Sequence, residues 1–79
     1  MPDYMKTLEN IGDKIVELLL TVENHEMYLL ALIDRAKEAG IGESKATLRD
    51  AIMAAAGKKK LKIEERPPKQ LMVGLPDRR

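Results

Sequence analysis

The side chains of this chain that could do chemistry are mostly cations. Lys45 and Arg49 stand four residues apart, a spacing that puts both on one face of a helix. Ser44 and Thr47 beside them belong at a helix start, where free backbone N–H groups and a positive dipole favour phosphate. Lys58, Lys59 and Lys60 form an unbroken run, and Lys62 follows. Arg66 and Lys69 flank the pair Pro67-Pro68. Duplex DNA carries one negative charge per about 1.7 Å of its axis, so cations spread over a helix and a loop suit contact with two phosphate ridges. Arg49 is the candidate for a paired hydrogen bond to guanine. Its plainer role is an exposed ion pair with Asp50 or Glu43. For the lysine run the plainer role is a helix C-terminal cap, since cations favour that end of the dipole.

The constellations of catalysis are missing. There is one histidine, His25, one serine, Ser44, and no cysteine, so thiolate and multi-histidine metal sites and disulfides are excluded. His25 and Glu26 are adjacent and do not face each other on a helix. Gly40-Ile41-Gly42 follows a helical segment and lacks the further glycine, or the glycine-lysine-Ser/Thr unit, of a nucleotide loop. No enzyme activity, metal or cofactor is expected. The longest apolar run is the seven residues Met27–Ile33, too short for a membrane span. The start Met1-Pro2-Asp3-Tyr4 lacks the pattern of a signal peptide, and the expected location is cytoplasmic.

Charge is split along the chain. Residues 1–43 hold four Lys/Arg against nine Asp/Glu, and residues 44–79 hold ten against four. Such a split suggests an acidic half that avoids polyanions and a basic half that meets one; the plainer alternative is that solubility charges happen to segregate. RNA is the poorer partner, because single-strand readers stack bases on aromatic rings and the only two here, Tyr4 and Tyr28, fall in the acidic half.

The elements that must position these cations can be read from periodicity. At 79 residues the chain makes one small domain. Residues 1–7 are expected as a flexible start. Leu8, Ile11, Ile15, Leu18, Leu19 and Val22 recur at steps of three and four, the stripe of a helix over Leu8–Leu20 that alternatively begins at an Asp13 cap. Asn24 is the expected cap of a second helix with Leu29, Leu32, Ile33 and Ala36 inward. Met27, Tyr28 and Leu30 add apolar surface to its other faces. Gly40 at C′ and Ile41 at C″ end it. Ser44 caps a third helix that buries Leu48, Ala51, Ile52 and Ala55 and stops at Gly57. Leu61 and Ile63 alternate with Lys62 and Glu64, and Leu71, Val73 and Leu75 with Met72 and Gly74, which predicts two strands joined through the proline loop.

Helix, helix, short turn, helix, hairpin resembles the winged helix-turn-helix family. Ala36-Lys37-Glu38-Ala39-Gly40-Ile41 is similar to the family's second helix and turn, Thr47-Leu48-Arg49-Asp50-Ala51-Ile52 to the start of its recognition helix, and Lys58–Val73 with Gly74-Leu75-Pro76 to its wing. The whole is most similar to terminal modules of plasmid- and phage-type replication proteins, over about residues 8–76. The turn is about two residues longer than the commonest form. The resemblance implies an α+β fold, three helices with a C-terminal two-stranded wing, that binds double-stranded DNA in replication or transcriptional regulation. The third helix would enter the major groove with Ser44, Lys45, Thr47 and Arg49. Lys58, Lys59, Lys60, Lys62, Arg66 and Lys69 would meet phosphates, and residues 77–79 form a basic tail. A homodimer and a place in a larger replication protein both stay open. The rival is a protein–protein adaptor on the same scaffold, with no DNA bound.

Overall fold

A computed structural model describes residues 3–67 and 69–76. The order is α1 (Asp3–Leu20), a 3-10 turn (Glu23–His25), β1 (Glu26–Tyr28), α2 (Leu29–Glu38), α3 (Lys45–Gly57), β2 (Lys62–Arg66) and β3 (Gln70–Gly74). Three helices pack beside an antiparallel sheet of order β1-β3-β2, an α+β layout consistent with a winged helix.

The helices form where the apolar stripes place them. Leu8, Ile11, Ile15 and Leu19 of α1 are buried against Leu29, Leu32, Ile33 and Ala36 of α2 and Leu48, Ala51, Ile52 and Ala55 of α3. Leu61 and Val73 close the core from the sheet side. No side chain with a polar or charged group is buried among the described residues, so this core depends on apolar burial alone.

α1 starts earlier than its apolar stripe predicts. Residues 3–7, expected as a flexible start, are helical, and Asp13 lies inside the helix rather than capping it. Tyr4 donates its hydroxyl hydrogen to Asp50 Oδ2 at 2.8 Å, which ties the first turn to α3. Gly12 sits mid-helix because α3 passes close by: a Cβ there would lie 3.3 Å from the Ala55 Cβ.

The second departure follows from Asn24. It does not cap a helix but takes a left-handed conformation at φ 66°, with His25 at φ 54°. Asn enters this region more readily than most residues. The chain thereby turns into β1, which pairs with β3 through Glu26↔Gly74, Met27↔Val73 and Tyr28↔Met72. The wing therefore has three strands, not two, and Met27 and Tyr28 belong to it rather than to α2. A three-residue strand is below the length at which alternation can be recognised.

The turn between α2 and α3 matches its sequence reading. Gly40, at φ 77°, donates to Lys37 O at 3.0 Å, and Ile41 N–H reaches back to Ala36 O at 3.0 Å. These are the two bonds of a Schellman cap. Ser44 Oγ then accepts the Thr47 N–H at 3.2 Å and starts α3.

Candidate nucleic-acid interface

Burial of Leu48, Ala51, Ile52 and Ala55 turns Lys45, Arg49 and Met53, at successive steps of four, toward solvent. Lys45 Nζ lies 3.4 Å from Asp34 Oδ1 of α2, with both side chains more than 60% exposed. Such a pair is screened by water and leaves Lys45 able to exchange Asp34 for a phosphate. Ser44 and Thr47 serve the helix first. Besides the backbone cap, the Ser44 hydroxyl donates to Thr47 Oγ1 at 3.0 Å. Ser44 stays exposed and Thr47 is half-buried.

Arg49 and Lys69 come together. They line one cleft of about 220 Å3 with Tyr28, Leu30, Gln70 and Leu71. The sheet order explains the meeting. β1 pairs with β3 and runs straight into α2, so the β1–α2 junction lies beside the start of β3. Lys69 immediately precedes β3, and Arg49 closes the cleft from α3. No carboxylate lines this cleft among the described residues.

The lysine run points elsewhere. Lys58 Nζ holds the Glu9 carboxylate and Lys60 Nζ donates to Asp13 Oδ1 at 3.1 Å, both on α1. Lys58 follows Arg49 by about two and a half helical turns, hence on the opposite side of α3. Its hydrogen bond and charge hold Glu9 below the ordinary carboxyl range. Lys59 takes φ 64°, while its N–H reaches Ala56 O at 3.0 Å and that of Lys60 reaches Ala55 O at 2.9 Å. This is again the bond pair of a Schellman cap, now with Lys59 at C′. Gly57, expected there, is still helical. The run thus stops α3 and fastens its end to α1.

Lys62 and Arg66 occupy a third place. Strand alternation turns them, with Glu64, away from Ile63, which packs toward the helices. Lys62 pairs with Glu64 at 2.9 Å, and Arg66 with Glu64 at 3.0 Å and Glu26 at 3.7 Å. Hydrogen bonds from Lys62 and then Arg66 hold the Glu64 carboxyl low, and Glu64 in turn holds the Arg66 guanidinium up. Two cations face two carboxylates, so this surface carries little net field. Pro67 lies in the loop, and residues 68 and 77–79, including the basic tail, fall outside the described residues.

Of the ten cations and hydroxyls read from the sequence, Lys59 occupies the C′ position of the α3 cap and the other nine divide into three surfaces. Ser44, Lys45, Thr47, Arg49 and Lys69 lie along α3 and its cleft. Lys58 and Lys60 are held on α1, and Lys62 and Arg66 lie on the outer sheet. Sequence reasoning missed Tyr28 and Leu30 as neighbours of Arg49, because a helical reading of Met27–Leu30 sends them to the side of α2. The left-handed preference of Asn24 was the available signal.

No protein-family model matches this chain, nor does any curated protein or solved structure. No helix among the described residues is long and apolar enough to cross a membrane. No three His, Cys, Asp or Glu among them gather where they could hold a metal ion.

Proposed function

We propose that this chain is a double-stranded DNA-binding module that lays α3 in the major groove and sets the β2–β3 loop on the backbone. The observation that carries this reading is the shared cleft of Arg49 and Lys69, a helix cation and a wing cation on the walls of one cleft that no carboxylate lines among the described residues. Arg49 is the base-reading side chain, Lys45 and Lys69 are phosphate contacts, and Ser44 offers its end of α3 to a further phosphate. With one strong base reader the binding is dominated by the backbone and steeply salt-dependent. The likeness to winged-helix modules of replication proteins favours a role in replication or transcriptional regulation, in the cytoplasm.

A titration onto a fluorescent random duplex at several salt concentrations tests this. The reading predicts a log–log slope of several units, because each phosphate contact contributes about 0.9. A second reading, a protein–protein adaptor, draws on the apolar surface left open beside the cleft, with Leu30 75% exposed. That reading predicts no duplex binding even at low salt.

A further inference from the structure

The cleft beside Arg49 holds more apolar surface than a phosphate contact requires. Leu30 is 75% exposed and Tyr28 42% exposed, and both line the cleft. Leu71 adds a half-buried wall. Arg49, Lys69 and the Gln70 amide supply cations and hydrogen bonds at its rim. Its volume of about 220 Å3 is below the roughly 300–1,000 Å3 of sites for drug-sized ligands. Such a space is large enough for one flat ring system.

We infer that this cleft receives a single unpaired nucleobase, lodged against Tyr28 and Leu30, with Arg49 at the base edge and a flanking phosphate on Lys69. The inference rests on the DNA reading above and extends it. The module then prefers a duplex with an extruded or overhanging nucleotide to a continuous one. The chemistry is that of single-strand binding sites, where apolar and aromatic side chains take the base face and a basic rim follows the backbone. Tyr28 belongs to the acidic half of the sequence; the β1–β3 pairing brings it to the edge of this cleft, on the outer sheet face that it shares with Glu26, Glu64 and Arg66.

Three labelled probes test it with the full chain by fluorescence anisotropy. The first is a blunt duplex, the second the same duplex with one extra unpaired nucleotide, and the third carries an abasic residue at that position. The second probe should bind about tenfold tighter than the other two, in the range of one base-stacking contact. Placing 2-aminopurine at the unpaired position should give a fluorescence change on binding. Tyr28→Ala and Leu30→Ala should each abolish the preference of the second probe over the blunt one, and Tyr28→Phe should keep it. Leu30→Ala guards against misfolding, because that side chain is mostly in solvent. Equal affinity for all three probes overturns the inference while the duplex reading stands, and is the result expected if the cleft instead takes an acidic peptide. A preference shared by the abasic probe also overturns it, since flexibility of the backbone would then be the feature bound. Failure to bind any probe removes the duplex reading and this inference together.

Discussion

Lys58 of the α3 C-cap grips Glu9 of α1 across 49 residues of sequence. One prediction follows from the direction in which this contact moves Glu9. Its folded carboxyl titrates below the ordinary value of 4.5, so the contact stabilises the fold above that pH and its contribution is lost as the pH falls through the lower, folded value. Glu64, lowered by Lys62 and Arg66, follows the same sign. A carboxyl NMR titration should place Glu9 below 4.5 in the natural chain and nearer 4.5 in Lys58→Ala. An unshifted Glu9 in the natural chain would show that the contact does not persist in solution.

Lys59 sits at a position where glycine is the usual occupant. At φ 64° its Cβ crowds the backbone, and a lone non-glycine residue in this region carries a penalty of order 1 kcal/mol or more. Lys59→Gly should therefore raise stability by about 1 kcal/mol, or roughly 4–8 °C in Tm for a domain of this size. The mirror change, Gly40→Ala at φ 77°, should lower it by a similar amount. Thermal melts of both variants check this. Opposite signs support the two caps, and a destabilised Lys59→Gly would contradict the second.

Gly12 and Ala55 let α1 and α3 approach closely. Gly12→Leu forces a branched side chain into a gap where even a Cβ would stand 3.3 Å from Ala55, and overpacking of this kind costs about 1–3 kcal/mol. The urea midpoint should fall with the slope unchanged. A midpoint equal to that of the natural chain would mean that the two helices are not in contact at this level.

Much of this architecture was legible because its signals are local and repeated. The apolar stripe Leu8–Leu19, the Gly40-Ile41 cap and the Ser44 cap each name their own conformation. β1 was not legible, because three residues carry no period and its register is set by β3, some forty-five residues later. The extension of α1 to Asp3 depends on Tyr4 meeting Asp50, again a distant contact. For the candidate site, Lys45 and Arg49 were readable from their spacing of four. The lysine run was readable as the cap of α3, the plainer of its two roles, but its grip on α1 was not, since its composition suits a polyanion as well as it suits Glu9 and Asp13. Only the position of α1 beside the end of α3 decides what those lysines hold.

The most direct measurement compares salt slopes of duplex binding for two pairs of variants. If Lys45 and Lys69 are the phosphate contacts on either side of Arg49, Lys45→Ala and Lys69→Ala should each reduce the slope by about one phosphate's worth, near 0.9. Lys58→Ala and Lys60→Ala, on the far side of α3, should leave the slope unchanged and affect only stability. A slope that falls with the lysine run and ignores Lys45 and Lys69 would contradict this placement of the DNA.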